Sequence, residues 1–345
     1  MSNPSPVSEH FVKSQRHGSF YLACGDERAA PIVFIHGWPE LAISWRGQLP
    51  VFGALGFRAI APDMRGYGRS GVPGRREDYA LENIVLDMME LIDSLGTEKA
   101  VWVGHDWGAP VVWSIAQHHP DRCHAVAGLC VPYIPEGFTA SAILPLADRA
   151  LYPKDKFPFA QWDYQAFYVE NFERATAGFE ADVRATLRML FRAGNPALRG
   201  KPYRTAFVRA NGGWFGLDDK APPLARDDRV IGEDDEDAYV AALSRNGFAG
   251  PDSWYMNGEA NAAYAKRARA NWRLALPVLF LHAANDYVCE TLDSRLAEPM
   301  RASCADLTEA VVPSGHWMAQ EQPTRVNAAL AKWLARRKPE LWLSG

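Results

Sequence analysis

Cysteine is scarce in this chain. Its five cysteines, Cys24, Cys123, Cys130, Cys289 and Cys304, are odd in number and scattered, with no Cys-x-x-Cys pair among 345 residues. That pattern fits reduced structural thiols rather than a disulfide framework or a zinc site. The histidines offer no better metal reading: His118-His119 precedes Pro120 at the expected end of a helix, where cationic residues favour the carbonyl end of the dipole. Charge of one sign is also lacking, since 37 Lys+Arg against 41 Asp+Glu leave a net charge of -4 and no electrostatic footprint for nucleic acid. No apolar run approaches the ~18 to 20 residues of a membrane span. Met1 to His10 is polar, without the apolar centre of a signal peptide, so the expected location is the cytoplasm. There is no internal repeat and no low-complexity linker. What remains is a chain with 48% hydrophobic residues, enough for one large core or for a core with an inserted second domain.

The stretch that carries most information is Val101-Trp102-Val103-Gly104-His105-Asp106-Trp107-Gly108-Ala109-Pro110-Val111-Val112. A short β-branched apolar run breaks at Gly-x-Asp-x-Gly and restarts with helical spacing. Such a pattern places one side chain, Asp106, on a sharp strand-to-helix bend. Gly104 and Gly108 let strand and helix approach closely around it, and Pro110 suits a first helical turn. This arrangement resembles the nucleophile elbow of the α/β-hydrolase fold, with aspartate where serine usually sits.

Read in order, the chain supports that fold class: a mostly parallel central sheet flanked by helices, with an inserted helical cap. Phe11 to Cys24 reads as a hairpin around His17-Gly18. Pro31–His36 and Arg58–Asp63 read as buried strands, Tyr79 to Leu95 as an amphipathic helix, and Ala125–Val131 as a further strand. After Pro132 the strand-helix rhythm is lost. Mostly helical segments rich in Trp, Phe and Tyr follow, with an acidic helix start at Glu233-Asp234-Asp235-Glu236-Asp237. The sheet pattern resumes at Leu276–His282 and Glu309–Pro313, and Ala328 to Lys338 closes the chain as a helix. The expected division is therefore core over 1–134, helical cap over 135–268 and core again over 269–345. Asp286 and His316 each fall just past a predicted strand, so nucleophile, acid and base appear in the order Asp106, Asp286, His316 that the fold requires. Glu136, after the strand that follows the elbow, is a rival acid but stands a little late.

From about Ile32 to Pro323 the chain resembles the epoxide hydrolases of the α/β-hydrolase fold. His36-Gly37-Trp38-Pro39 is similar to their His-Gly-x-Pro motif, and Met64-Arg65-Gly66-Tyr67-Gly68-Arg69-Ser70 after Asp63 to a loop common across the fold. The resemblance implies an oxyanion hole built from the backbone N–H groups of Trp38 and Trp107. It also implies two cap tyrosines. Trp162-Asp163-Tyr164-Gln165-Ala166-Phe167-Tyr168 is similar to Phe-Asp-Tyr-Gln-x-Tyr and points to Tyr164, with Tyr168 a rival at i+4 on the same helix face. Gly247-Phe248-Ala249-Gly250-Pro251-Asp252-Ser253-Trp254-Tyr255 is similar to Gly-Phe-x-Gly-Pro-x-x-Trp-Tyr and points to Tyr255.

The residue types constrain the chemistry. A carboxylate with a reference pKa of about 3.9 is already an anion at neutral pH and needs no base to attack. At an acyl carbon it would form a reactive anhydride; at a saturated carbon it forms a plain ester. His316 is then free to activate water against that ester, with Asp286 fixing its tautomer. A halide leaves as a stable anion, so haloalkane and fluoroacetate dehalogenases with the same elbow want indole or amide N–H donors that cannot lose a proton. An opened epoxide leaves as a basic alkoxide and wants proton donors, a task suited to Tyr164 and Tyr255. The sequence therefore points to hydrolysis of a small apolar or aryl epoxide to a vicinal diol, with Trp38, Trp107 and Trp254 lining the pocket and no cofactor or metal. The alternatives are a dehalogenase, for which Trp107 would bind halide, or a non-catalytic ligand-binding member of the fold. No nucleic-acid or membrane partner is expected, and a homodimer is left open.

Overall fold

The apolar runs legible in the sequence become the middle of one eight-stranded sheet in the computed structural model, which describes residues 6–342. Its strands are β1 (Ser8–Lys13), β2 (Gly18–Cys24), β3 (Pro31–Ile35), β4 (Arg58–Pro62), β5 (Ala100–His105), β6 (Cys123–Leu129), β7 (Leu274–Ala283) and β8 (Cys304–Val312). Their order in space is β1-β2-β4-β3-β5-β6-β7-β8. β1 pairs antiparallel with β2, and β2 with β4; every other pairing is parallel. β4 and β5 are buried at every residue, as parallel strands covered on both faces must be. β1, at the edge, alternates half-buried and exposed residues.

Each face of the sheet is covered by an apolar layer. On one side Ile84, Met88 and Ile92 of the helix Leu81–Ser94 pack with Val111, Val112 and Ile115 of the helix Gly108–His118. On the other, Phe34, Trp45 and Phe52 meet Val326, Leu330 and Trp333 of the helix Pro323–Arg337. Burying each such side chain is worth roughly 1.5–3 kcal/mol, so both layers anchor the strand ends that present the site.

Several boundaries differ from the sequence expectation, for local reasons. The first strand begins at Ser8 rather than Phe11; of the polar start Met1–His10, residues 1–5 lie outside the described region. The helix expected over Tyr79–Leu95 runs Leu81–Ser94, because Ala80 is extended (φ -62°, ψ 144°) and separates it from a short 3-10 turn at Arg76–Tyr79. β6 ends at Leu129 rather than Val131, since Cys130 turns into the left-handed region (φ 67°). β8 starts at Cys304, well before Glu309, through half-exposed residues whose weak apolar signal hid it. The last helix starts at Pro323 rather than Ala328; proline presets the backbone for a first helical turn.

Between β6 and β7 the described chain holds no strand. Helices Asp163–Glu170, Phe172–Glu180, Val183–Leu190, Glu233–Asn246, Ala249–Ser253 and Gly258–Ala265 fill the interval. The acidic run opens the helix Glu233–Asn246, where carboxylates oppose the positive end of the dipole. Tyr164, Leu190, Trp214 and Tyr255 of this segment share a cavity with Asp106 and His316 at the carboxyl ends of the strands. No helix among the described residues is long and apolar enough to cross a membrane.

Candidate active site

The bend after β5 forces its central residue into an unusual backbone state. Asp106 has φ 49°, a left-handed conformation that a non-glycine residue adopts only under constraint. Neighbouring glycines make it feasible. A Cβ on Gly104 would lie 2.2 Å from Gly108 O, and one on Gly108 would lie 2.1 Å from Ile35 O. Asp106 O accepts a hydrogen bond from Ala109 N–H (3.0 Å), so the helix begins at once and the Asp106 carboxylate stands at the bend.

Both oxygens of that carboxylate are engaged. Oδ1 accepts the backbone N–H of Trp38 at 2.7 Å, and Oδ2 lies 3.3 Å from His316 Nε2. The Trp107 backbone nitrogen faces the same glycine: a Cβ on Gly37 would lie 2.4 Å from Asp106 Oδ1 and 2.6 Å from Trp107 N. Only glycine leaves room there. His316 Nδ1 lies 2.7 Å from Asp286 Oδ2, and Asp286 Oδ1 accepts the N–H groups of Val288 (2.9 Å) and Cys289 (3.1 Å). Asp106, His316 and Asp286 thus form one line, whereas Glu136 is exposed and Asp286 alone of the two carboxylates meets the imidazole.

Charge in this line is coupled. Burial by itself would lower the His316 pKa, but the Asp286 carboxylate and the hydrogen bonds to Asp106 and Asp286 outweigh it and hold the pKa well above 6.5. Burial would likewise raise Asp286, yet the facing imidazolium and the two backbone N–H donors keep it below its usual value. Both shifts favour a charged His316–Asp286 pair.

A second layer holds this line, and sequence reasoning missed it. Glu40, buried behind the loop after β3, accepts Gly37 N–H (3.1 Å), meets His105 Nδ1 (2.8 Å) and receives Gln320 Nε2 (2.7 Å). His105 Nε2 lies 2.7 Å from His316 O, so this pair fixes the loop carrying the base. Burial opposes charge on both, but their mutual attraction wins: Glu40 is held down at about 2 and His105 well above its ordinary value. The available signals were an acidic residue inside an apolar loop and a histidine ending a buried strand. His105, Cys130 and His316 offer ligand atoms within 4.8 Å of one another. Those atoms are committed elsewhere, since His105 is bonded through both nitrogens and the Cys130 thiol donates to His316 O at 3.1 Å, so the set does not suit a metal.

The tyrosines close the site from above. Tyr164, on the helix Asp163–Glu170, and Tyr255, in the turn Trp254–Met256, both line the cavity with their ring centroids 5.7 Å apart. Tyr164 Oη accepts Gln165 Nε2 at 3.2 Å, which leaves its own proton free to donate. Burial pushes both phenols above their usual pKa, so each keeps its proton at neutral pH. Tyr168 packs behind Tyr255 with its ring tilted and its centroid 4.8 Å away, fully buried and off the cavity wall. Trp254, expected to face substrate, is also behind the wall: its Nε1 donates to Arg65 O (3.1 Å) and its ring meets Trp107 edge-on. It supports the pocket and does not line it.

The cavity measures about 660 Å³. A second one, of about 400 Å³, lies beyond Trp107 and Tyr255 among Phe138, Ile143, Leu144 and Trp162. Of the other sequence expectations, Trp38 lines the first cavity, and its indole Nε1 donates to Asp252 Oδ1 at 2.8 Å. Asp63 is structural, accepting N–H groups from Ala42 and Arg69 at 2.9 Å each, and Arg65 pairs with Asp87 through two contacts of 2.7 Å. His118 stacks on Tyr264, 3.8 Å between centroids, and burial lowers its pKa to about 4.

Known proteins resemble this chain in family and in fold. The family model for the alpha/beta hydrolase fold matches residues 30–323. Epoxide hydrolase A of Mycobacterium tuberculosis is 34% identical over 318 residues, 91% of this chain and 92% of that protein. Bifunctional epoxide hydrolase 2 of Sus scrofa is 32% identical over 304 residues, 88% of this chain, and the match spans 51% of that longer protein. Among solved structures, epoxide hydrolase A of Mycobacterium thermoresistibile aligns with a TM-score of 0.78 at 34% identity, over 95% of this chain and 98% of that one.

Proposed function

Because the chain belongs to the α/β-hydrolase fold family, among its epoxide hydrolases, we propose that it opens an epoxide through a covalent Asp106 ester and hydrolyses that ester to a vicinal diol. We take 1–134 and 269–345 as the core and 135–268 as a cap that brings the tyrosines. The observation that carries the reading is the single cavity containing Asp106, His316 and both Tyr164 and Tyr255.

In the first half-reaction the Asp106 carboxylate attacks a ring carbon, the carbon–oxygen bond breaks, and a tyrosine O–H protonates the departing oxygen. The ester has no negative charge, so the Asp106 contribution that raises His316 vanishes; the imidazolium gives its proton to restore the tyrosine that protonated the epoxide oxygen, and the neutral imidazole becomes available as a base. It then takes a proton from water, whose oxygen attacks the ester carbonyl carbon. The resulting oxyanion faces the N–H groups of Trp38 and Trp107, and its collapse releases the diol and restores the carboxylate.

Aromatic walls at Trp38, Tyr164, Trp214 and Tyr255 favour an apolar or aryl epoxide. Halide release fits less well: Trp107, the halide ligand a dehalogenase would use, lines the second cavity and not the one holding Asp106, and the Trp38 indole N–H is taken by Asp252. The five cysteines are buried and not joined by disulfides, which suits a reducing compartment, and we place the enzyme in the cytoplasm. Parallel assays with styrene oxide and 1-chlorobutane test the assignment. Diol without chloride is expected; chloride without diol would overturn it.

A further inference from the structure

Asp252 is fully buried on the short helix Ala249–Ser253, immediately ahead of the turn that carries Tyr255. Its carboxyl has two partners from different parts of the chain. Oδ1 accepts Trp38 Nε1–H at 2.8 Å, and Oδ2 accepts Thr176 Oγ1–H at 3.0 Å. Trp38 is the residue whose backbone N–H meets Asp106 Oδ1 at 2.7 Å. One residue therefore separates the Asp252 carboxyl from the nucleophile.

The ionisable groups that face Asp252 are Glu180 from the helix Phe172–Glu180, Tyr168 from the helix Asp163–Glu170 and Tyr67 from the loop after β4, all acids or phenols. Burial pushes its carboxyl up to about 8, with the Trp38 and Thr176 hydrogen bonds opposing that shift only in part. A buried carboxyl with no cation is costly, and an apolar residue of similar volume would fill the space without that cost. What leucine could not do is hold an indole N–H. The ring it holds is gripped on its other sides by Phe179, Trp214, Phe248 and Tyr255, with centroids 5.3 to 6.4 Å away.

We propose that Asp252 is a positioning residue: by fixing the Trp38 indole it sets the backbone N–H that receives the oxyanion of ester hydrolysis, and so couples the seating of residues 135–268 to the second half-reaction. The inference rests on the Asp106 ester mechanism proposed above. It differs from a packing role because it acts on one step. Ester formation uses the carboxylate and the tyrosines; ester hydrolysis alone builds charge opposite the Trp38 N–H.

Rapid-quench mass spectrometry of the Asp106 peptide during a single turnover of styrene oxide reads both steps. In Asp252→Leu the ester should decay about 10- to 100-fold more slowly, the range for a displaced oxyanion donor, while its formation changes less than about threefold. Asp252→Asn, which copies the neutral acid, should restore decay to within about threefold of wild type. Trp38→Phe should slow decay as Asp252→Leu does, and the double variant should be no slower than either single one. Decay unchanged in Asp252→Leu, or formation and decay slowed alike with no rescue by Asn, would overturn the inference. If Asp252→Leu does not fold, Trp38→Phe gives the same reading, and wild-type decay in that variant overturns it. Absence of any ester in wild type would instead remove the mechanism on which the inference rests.

Discussion

Replacing His316 by glutamine separates the two half-reactions. The Asp106 carboxylate needs no base to attack, so ester formation should survive the change. Hydrolysis should not, because His316 Nε2, 3.3 Å from Asp106 Oδ2 and oriented by Asp286 at 2.7 Å, is the only basic atom placed beside the future ester carbonyl among the described residues. Loss of a positioned general base slows a step by about 10²- to 10⁴-fold; if formation and hydrolysis run at similar rates in wild type, even the lower figure leaves about 99% of the enzyme as ester. The assay is direct. Purified His316→Gln enzyme is mixed with excess styrene oxide and its intact mass recorded, followed by digestion to locate the adduct. One equivalent of substrate mass on the peptide containing Asp106 is expected, with diol production nearly stopped. An unmodified Asp106 in a folded variant, under conditions where wild type consumes the epoxide, would refute the reasoning.

Tyr164→Phe and Tyr255→Phe should each slow epoxide opening by about 10- to 100-fold, and the double variant by at least about 10³-fold, since alkoxide departure then lacks both acids. Tyr168→Phe, off the cavity wall, should change opening little; pre-steady-state ester formation reads all four, and equal rates for the double variant and wild type would remove the tyrosines from the site. Gly37→Ala puts a methyl 2.4 Å from Asp106 Oδ1 and 2.6 Å from Trp107 N. It should cut kcat/KM by about 100-fold or more with the circular dichroism spectrum retained, and wild-type turnover would count against the geometry of the nucleophile. For Asp252 the folded pKa is raised from 3.8 to about 8, so the folded state keeps a proton that the unfolded state loses in between. Wild-type stability from this group is full below about pH 4 and falls as pH rises to about 8. Asp252→Asn lacks that loss and should melt progressively higher than wild type over this window, by the equivalent of a few kcal/mol. A Tm difference independent of pH would refute the neutral acid.

Legibility followed the range of the interaction. β3, β5 and β7 were readable because a parallel strand buried on both faces must be almost wholly apolar, and the elbow because close approach around Asp106 requires glycine at Gly104 and Gly108. Tyr164 and Tyr168 could not be separated by pattern: they share a helix face, and only the rotation of that helix over the sheet puts Tyr164 on the cavity wall. Trp254 carried a motif signal equal to that of Tyr255, yet its indole is spent on Arg65 O. The starts of β8 and of the final helix were missed where half-exposed residues and a leading proline blurred the apolar signal.

Residue order alone therefore settles the alternation of strands and helices, the long helical interval and the succession Asp106, Asp286, His316, because each depends on chemistry within a few neighbouring residues. Tertiary structure decides the rest. His316 meets Asp286 and Asp106, Glu40 meets His105, and Asp252 meets Trp38 across 214 positions of chain. Contacts of that separation form only when the sheet closes and the helical interval between β6 and β7 packs against the strand ends that carry Asp106 and His316. Hydrogen-bond geometry and burial, which set the charge of each group, come into existence only then.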